Sequence, residues 1–408
     1  MTFWIVAVFI VTYIGMATGQ VPGLRLDRAG IALLAVVVLL ARGAIQVGDI
    51  GKAVDAATML LLFALMIISA QFSAAGFYDW CAARITSASR SPTVLLVVTV
   101  LVAGGLSAVL ANDIVVFAMT PLLCRGLVAR GLDPRPFLIA LACAANAGSA
   151  ATVIGNPQNI LIGQAGGLDF WRFLLVCAPP ALMAMAVTIG LVRWQWRSQL
   201  TVNTEPAAAP AVRFDLFQTD KGLLAVVALI LLFTTDWPRE IGALVIAGFL
   251  LLSRKLSSRD MVGAVDWHLL LLFACLFTVT AAFAATGYTE AAFHWAQAQG
   301  FLPDRLSVLG PLSLLISNTV GNVPAVILLL TAWPSPSPEA LYGLALLSTL
   351  AGNFLIVGSL ANIIVAERAA GAGVRLRFWD HARSGVPVTL ITMALAMLWL
   401  WAGGWLPW

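Results

Sequence analysis

Amide and hydroxyl side chains interrupt the apolar stretches of this sequence at four places. Their oxygen atoms are ligands that small hard cations prefer, and a helix that begins at such a place presents free N–H groups that bind anions. The sequence therefore predicts a cation site beside an anion site. The polar side chains concerned are Ser107, Asn112, Asn146, Ser149, Thr152, Asn156, Asn159, Ser317, Asn318, Thr319, Asn322, Asn353, Ser359 and Asn362.

Asp113 is the one acidic residue that we place deep within an apolar stretch. An ionisable side chain at membrane depth costs at least about 2.5 kcal/mol on insertion scales, so it marks a functional site. We expect Asp113 to take part in cation or proton coupling. The alternative is a carboxylate that only caps the helix beginning there, which is worth about 1 kcal/mol. We expect Asp266 and His268, which precede another apolar span, at the membrane interface.

Catalytic chemistry is not indicated. A membrane enzyme needs a nucleophile with an acid or base, or a metal cluster, and the three histidines (His268, His294 and His381) are too scattered to supply one. The cysteines contain no Cys-x-x-Cys pair. We therefore predict that the protein is not an enzyme and needs no cofactor besides its coupling ion, sodium or a proton.

Interrupted helices must position the polar side chains. The apolar run that begins at Phe137 is broken by Gly155-Asn156-Pro157-Gln158-Asn159, where proline removes a backbone donor and glycine lowers helix propensity. Unwound backbone at membrane depth survives only where protein or a water-filled cavity satisfies it, as in the binding sites of many secondary transporters. This segment therefore predicts a broken helix that lines a binding site.

The second half of the chain repeats these interruptions in the same order. A shift of 203 residues aligns Gly358-Ser359-Leu360-Ala361-Asn362 with the first break, and a shift of 210 aligns Ser107 and Asn112 with Ser317 and Asn322. Unequal loops absorb the difference between the two shifts. The pattern predicts an internal repeat.

Composition gives the class of protein. With 61% hydrophobic and 10% charged residues, the chain differs from soluble domains, in which about 25% of residues are charged. We predict an all-α polytopic membrane protein in which the segments 92–126 and 305–332 are re-entrant hairpins. Ten crossings are predicted, namely eight continuous spans at 1–18, 29–47, 56–76, 170–192, 221–236, 240–253, 266–287 and 384–405 and two broken helices at 137–168 and 340–366.

The basic residues predict the orientation. An outside N-terminus puts most of the 23 lysines and arginines, beginning with Arg25 and Arg28, on the inner side, as the positive-inside rule requires for short loops. Both termini are then outside a bacterial-type inner membrane. Topology and anionic lipid headgroups explain the formal charge of +4, so the bilayer is a predicted partner and nucleic acid is not.

The two halves are predicted to be inverted repeats. Each half has five crossings and one hairpin, and because five is odd the halves enter the membrane from opposite sides. Mixed segments at 78–90 and 288–299 are expected to be interfacial arms. The predicted segments are a first repeat at 1–192 (scaffold helices 1–76, hairpin and broken helix 92–168), a cytoplasmic linker at 193–220, and a second repeat at 221–408 (scaffold helices 221–287, hairpin and broken helix 305–366).

With these motifs in hand, the chain resembles the ion transporter superfamily along its whole length. Residues Asn146 to Ile162 resemble the Asn-x-Gly-Gly-Thr-Ala-Thr-x-Ile-Gly-Asp-Pro-Pro-Asn segment of its P protein and NhaD-type antiporter branch, with Asn156 in place of Asp. Ala111-Asn112-Asp113 is similar to the Asn-Asp of its arsenite permeases, and Gly358-Ser359-Leu360-Ala361-Asn362 to their Gly-Ser-x-Ala segment.

The dicarboxylate transporters of the superfamily carry Ser-Asn-Thr at both hairpin tips. Here only Ser317-Asn318-Thr319 matches, and the alignment of Asn112 with Asn322 puts this triplet one helical turn before the tip. The resemblance implies an elevator-type mechanism, in which hairpins and broken helices slide as one body against a scaffold. It also implies a homodimer.

We predict a secondary active transporter that moves a small anion, a carboxylate or an inorganic oxyanion, with sodium or proton coupling. The alternative is a cation/proton antiporter or an arsenite or antimonite exporter in which Asp113 carries the proton; a channel fits the inverted broken helices less well. The substrate-binding candidates are Asn112, Asp113, Asn156, Asn159, Ser317, Asn318, Thr319, Asn322, Ser359 and Asn362. The candidate sodium ligands are Ser107, Asn112, Gly155, Asn159, Asn322, Gly358 and Asn362.

Overall fold

A computed structural model describes residues 2–18, 26–200, 213–235 and 237–408. Arg25 and Thr201 to Pro210, the centre of the predicted linker, lie outside the described residues. Within those ranges the chain forms α-helices, one short 3-10 turn at Ile356–Gly358 and no strand. The prediction of an all-α protein is confirmed.

The helices in the described ranges follow the predicted spans closely. They are α1 (Thr2–Thr18), α2 (Arg28–Ala41), α3 (Val47–Ala53), α4 (Ala56–Ala74), α5 (Phe77–Ser87), α6 (Pro92–Val109), α7 (Asn112–Val128), α8 (Arg135–Ser149), α9 (Pro157–Ala165), α10 (Phe170–Gln195), α11 (Arg197–Leu200), α12 (Leu216–Leu232), α13 (Arg239–Leu251), α14 (Ser258–Gly263), α15 (Trp267–Ala284), α16 (Tyr288–Ala298), α17 (Leu306–Val320), α18 (Asn322–Ala332), α19 (Pro338–Ala351), α20 (Leu360–Gly371) and α21 (Phe378–Ala402).

Five of the described helices, α4, α6, α10, α15 and α21, are long and apolar enough to cross a membrane by length and composition. Shorter apolar helices, including α1 and α2, accompany them. Large apolar side chains such as Leu175, Leu182 and Leu224 are exposed on the outside of the bundle. Contiguous exposed apolar surface is what a lipid-facing helix needs and a soluble protein avoids.

Each predicted hairpin is a pair of helices that pack against each other. In the first, α6 and α7 are separated by Leu110 and Ala111. In the second, α17 and α18 are separated by Gly321 alone, whose φ of +95° is one that side-chain-bearing residues rarely adopt. Ser317 to Thr319 therefore lie within α17, before the tip.

The first broken helix unwinds earlier than the sequence suggested. Helix α8 ends at Ser149, residues 150–156 are non-helical, and α9 begins at Pro157. The predicted interruption at Gly155 to Asn159 is wrong for its second part: proline is tolerated at the first helical position because its missing N–H has no partner there, and the Asn156 side chain caps the helix by accepting from Asn159 N at 2.9 Å. The second broken helix is α19, the 3-10 turn and α20.

Helices of the two halves pack on each other in several pairs: α2 on α15, α13 on α4, α7 on α20 and α18 on α9. We call α1–α4 with α12–α15 the scaffold helices, and α6–α10 with α17–α21 the inner helices. Each of these pairings joins the two halves of the chain, so the packing of each half depends on the other.

The arm helices α5 and α16 begin at Gly76 and Gly287, which have φ of +74° and +81°. Their surroundings differ. The chain entering α12 runs beside Gly76, where a Cβ atom would lie 2.0 Å from Arg213 O, and Asp215 N donates to Ala75 O at 3.0 Å. Among the described residues, no atom beyond the two chain neighbours of Gly287 lies within 4 Å of the position that its Cβ would take.

Candidate functional site

The first broken helix is closed by the side chain of Asn159. Its amide nitrogen donates to Ser149 O at 3.1 Å and to Thr152 O at 3.0 Å, two carbonyl groups that the interruption of the helix frees. Asn159 is fully buried. Buried carbonyls need a donor, so this side chain holds the unwound segment in one conformation.

Asn362 does the same in the second half. Its amide nitrogen donates to Gly352 O at 2.8 Å and to Leu355 O at 3.0 Å. Both acceptors and the donor correspond to those of the first break under the shift that aligns Gly155 with Gly358. The aligned polar interruptions therefore have the same local hydrogen bonds.

The two broken helices are also joined to each other by a crossed set of hydrogen bonds. Asn146 Nδ2 donates to Asn362 Oδ1 at 3.3 Å, and Thr349 Oγ1 donates to Asn159 Oδ1 at 3.3 Å. Asn156 Nδ2 donates to Thr349 Oγ1 at 3.3 Å. These residues are buried, so the crossed set fixes the two breaks side by side.

The hairpin tips attach to this centre through equivalent asparagines. Asn112 Nδ2 donates to Asn146 Oδ1 at 3.2 Å, and its backbone N–H donates to Gly155 O at 3.3 Å. In the amide orientation that satisfies its neighbours, Asn322 Nδ2 donates to Ser348 O at 3.2 Å and to Gly358 O at 2.9 Å. Each tip thus contacts the broken helix of its own half.

Several oxygen atoms at this centre are buried and have no hydrogen-bond partner among the described residues. They belong to Ser107, Asn112, Ser317 and Asn318. A buried polar atom left unpaired costs about 1–3 kcal/mol. Ser107 and Ser317 are equivalent in the internal alignment, so each half leaves a hydroxyl oxygen free to serve as a ligand.

The glycines predicted as cation ligands stand where backbone approaches closely. A Cβ on Gly155 would lie 2.3 Å from Ser149 O, and one on Gly358 would lie 2.2 Å from Asn318 Oδ1. At Gly155 the obstacle is backbone, so only a residue without a side chain fits; at Gly358 it is the Asn318 side chain, with Gly352 O at 3.0 Å, so an added methyl group would displace that amide. Both glycines lie next to the backbone carbonyls that accept from Asn159 and Asn362.

Thr319 is the predicted site residue that the structure does not bring to this centre. Its hydroxyl donates to Leu315 O at 2.7 Å on an exposed face of α17. Asn318 points the other way and donates to Ala351 O at 2.8 Å. Ser359 joins the centre by donating to Asn146 Oδ1 at 3.0 Å.

Four helices begin at a pocket beside this centre, which we call the central pocket. They are α7 at Asn112, α9 at Pro157, α18 at Asn322 and α20 at Leu360, and residues of all four N-termini line it. The empty volume is about 490 Å³ with its open mouth included. Helix N-termini attract anions through their free N–H groups and dipoles.

A larger cavity of about 1860 Å³, including solvent at its mouth, adjoins the pocket; we call it the vestibule. Arg28, Asp113, Leu272 and Leu360 line both spaces, so they form the neck between them. Asp113 also lines a third cavity, against α4, together with Asp266. Asp266 and His268 line the vestibule, and Asp266 also caps α15 by accepting from Leu269 N at 2.9 Å.

Sequence reasoning missed two residues of this centre. Arg28 was assigned to an inner loop, because its distance in sequence from the hairpins hides its position at the neck. Thr349 carries a weak signal, since the shift of 203 residues pairs it with Asn146, but the two side chains differ in type.

Comparison with known proteins agrees with the architecture. The citrate transporter family (CitMHS) matches residues 4–341. The 46 kDa membrane protein of Mycobacterium leprae is 30% identical over 97% of both chains. The silicon efflux transporter LSI3 of Oryza sativa is 26% identical over 97% of this chain and 95% of the relative, and the P protein of Homo sapiens is 25% identical over 85% of this chain and 53% of the relative.

These matches confirm the resemblance carried by Asn146 to Ile162. They run across both hairpins and the first broken helix, and the relatives named as transporters point to transport rather than catalysis. The chain belongs to the citrate transporter family of the ion transporter superfamily, and it is a multi-pass membrane transport protein.

Proposed function

We propose that this protein is a secondary active transporter that moves a small anion, a carboxylate or an inorganic oxyanion, with sodium or proton coupling. The convergence of four helix N-termini on the central pocket carries the proposal. Each N-terminus is equivalent to about half a positive charge, and several of them around one cavity stabilise an anion without a dedicated cation.

An elevator motion would give the anion access to the other side of the membrane. The pocket is built mainly by the inner helices, and the scaffold helices α2 and α15 form one wall of its neck. In this proposal the halves are inverted repeats, the inner helices slide against the scaffold as one body, and the chain forms a homodimer in a bacterial inner membrane. The vestibule then opens to the cytoplasm, the side predicted for Arg28 and most other basic residues.

Two cation sites would lie at the two helix breaks that Asn159 and Asn362 close. The candidate ligands are Ser107, Asn112, Gly155 and Asn159 in one half, and Asn322, Gly358 and Asn362 in the other. The unpaired oxygens of Ser107 and Asn112 support this assignment, because a cation would give them a partner. The unpaired hydroxyl of Ser317, which is equivalent to Ser107, adds a ligand to the second site in this proposal. The carbonyls bound by Asn159 and Asn362 become ligands if those amides turn their oxygens inward.

Flux measurements on the reconstituted protein test the proposal. Proteoliposomes should accumulate radiolabelled citrate, or another small carboxylate or oxyanion, only when a sodium or pH gradient is imposed. The proposal is abandoned if correctly folded protein moves none of these anions under either gradient. Sodium dependence at constant pH would assign the coupling ion to sodium, and pH dependence without sodium would assign it to a proton.

A second candidate is a cation/proton antiporter or an exporter of arsenite or a similar hydroxylated acid, with Asp113 as the proton carrier. Two observations favour it: Asp113 lines all three cavities described above, and one relative is named for silicon efflux. Vesicles loaded with arsenite should then release it on acidification of the opposite side. Citrate accumulation with neither arsenite release nor proton-driven exchange of sodium would exclude this candidate.

A further inference from the structure

We propose that Arg28 is a substrate-recognition residue that the scaffold supplies to the central pocket, on one side of the membrane only. The inference rests on the proposed function, since it names the residue that selects an anion at that site. It assigns Arg28 a role beyond the cytoplasmic positive charge that topology accounts for.

Position is the first observation. Arg28 is the first residue of α2, yet it lines both the central pocket and the vestibule, so anything passing between them passes its side chain. The guanidinium lies at the tip of the second hairpin, with Nη1 4.0 Å from the position of a Cβ on Gly321. Helix α18 begins at the next residue, so the guanidinium and the N-terminus of α18 face the same small volume.

The availability of the guanidinium is the second observation. Among the described residues, Arg28 makes no hydrogen bond or ion pair within contact distance, although Glu367 across the vestibule attracts it at longer range. Its N–H donors are therefore unused. A guanidinium presents them in a planar fork that matches a carboxylate or an oxyanion in two parallel hydrogen bonds.

A buried acceptor in the same pocket is the third observation. Asn112 lines the pocket, is 3% exposed, and has an Oδ1 atom without a partner. This oxygen is a candidate ligand of the proposed cation site, so a cation held there would lie beside the pocket that contains the Arg28 donors. The cation and an anion bound by Arg28 would then stabilise each other.

The charges around the neck oppose the passage of an anion, and Arg28 is the side chain that offsets them. Asp27, Asp113, Asp266 and Glu367 line the vestibule with His268, and Arg28 is the one Lys or Arg among the described residues lining the three cavities. Without it, every Asp, Glu, Lys or Arg side chain among the described residues lining the route to the helix N-termini would be a carboxylate. Arg28 therefore offsets Asp113 directly at the passage.

Because Arg28 lies on α2, we expect it to bind the anion from one side of the membrane only. Helix α2 packs on α1 and α15, which belong to the scaffold, whereas the other polar groups of the pocket belong to the inner helices. If the inner helices slide, the bound anion leaves Arg28 behind. The residue then raises affinity on the vestibule side and has no contact with the anion on the other side.

The test compares the two sides of the membrane. Radiolabelled citrate flux is measured in vesicles of both orientations for the parent, Arg28→Gln and Arg28→Lys, with Arg42→Gln at the other end of α2 as the matched control. We expect Arg28→Gln to raise the half-saturating citrate concentration tenfold or more from the vestibule side and less than twofold from the other side. Arg28→Lys should recover part of the loss, and Arg42→Gln should match the parent.

Equal changes from both sides, or no change from either, would overturn the role of Arg28 while leaving the proposed function intact. A parent protein without citrate or other anion flux overturns the proposed function itself. Because Arg28→Gln could misfold, the thermal midpoint of each purified variant is recorded, and Arg28→Lys, which keeps the charge, provides the comparison if Arg28→Gln is unstable. Lysine lacks the fork, so a side-specific loss in a stable Arg28→Lys variant also supports the proposal.

Discussion

Asn159 and Asn362 make the same pair of hydrogen bonds in the two halves of the chain. Each side-chain amide closes the unwound segment that precedes its helix by donating to two backbone carbonyls, which are three residues apart in both cases. The unwound backbone is therefore held in one conformation before any ion binds. In the proposed cation sites the carbonyls become ligands when the amide turns, and a backbone that is already ordered lowers the cost of binding.

Removing either closing amide should damage both stability and transport. In Asn159→Ala and Asn362→Ala two buried carbonyls lose their donor, and each unsatisfied group costs about 1–3 kcal/mol. We expect a lower thermal midpoint and at least a tenfold loss of anion flux. Gln297→Ala, an exposed amide on the arm helix α16, is the control. Parental flux in folded variants would show that the closed breaks do not hold the transported ions.

Asp113→Asn tests whether Asp113 carries the coupling proton, without a change in the fold. The amide has nearly the same shape as the carboxyl group but carries no titratable proton, so exchange that depends on a proton at Asp113 should lose its pH dependence. Flux is measured at acidic and at alkaline pH with sodium held constant. Asp260→Asn, at an exposed position of α14 that lines none of the three cavities, should retain the parental pH profile. If Asp113→Asn also retains the parental pH profile, another residue carries the proton.

Gly155→Ala should be more damaging than its size suggests. The added methyl group would lie 2.3 Å from Ser149 O, so the unwound backbone must shift and the cage around Asn159 must open. We expect a loss of about 1–3 kcal/mol, as for other overpacked sites. Gly105→Ala, in α6 with no atom within 4 Å of the new Cβ, should be neutral or slightly stabilising. Equal thermal stabilities of Gly155→Ala and Gly105→Ala would contradict the close approach of Ser149 O to Gly155.

The serine and threonine of the Ser317-Asn318-Thr319 triplet should behave differently. Sodium bound only to the folded state at one hundred times its Kd stabilises by about 2.7 kcal/mol. Ser317→Ala removes a buried oxygen without a partner; if this weakens sodium binding tenfold, the stabilisation falls by about 1.4 kcal/mol. Thr319→Ala should keep the parental response because its hydroxyl faces outward. The thermal midpoints of the parent and both variants are compared in sodium chloride and in choline chloride. If sodium does not raise the midpoint of the parent, proton coupling is favoured.

Hydrophobic patterning predicted the helices well because membrane spans depend on local composition. The predicted span 170–192 corresponds to Phe170–Gln195, and 56–76 corresponds to Ala56–Ala74. Pro157 shows where local reasoning was insufficient. Proline breaks a helix in its interior but also starts one, and only the cap by Asn156 decides between these outcomes.

The candidate site was predictable in its side-chain types and only partly in its contacts. The internal shift gave Asn159 and Asn362 as equivalents, because both follow a break visible in sequence. It could not give the hydrogen bond from Thr349 to Asn159, which depends on how the halves pack. Arg28 at the neck depends on the same tertiary packing, since nothing in its local sequence distinguishes it from a topology-determining arginine.

The arms begin after two glycines with different surroundings. The backbone at Arg213 to Asp215 passes directly against Gly76, where Asp215 N donates to Ala75 O, whereas a Cβ on Gly287 would meet no neighbouring element within 4 Å among the described residues. Helix α16 itself packs on α15 and α18. We therefore expect a side chain at residue 76 to disrupt the junction between the two halves, and a side chain at residue 287 to cost only the strain of its positive φ.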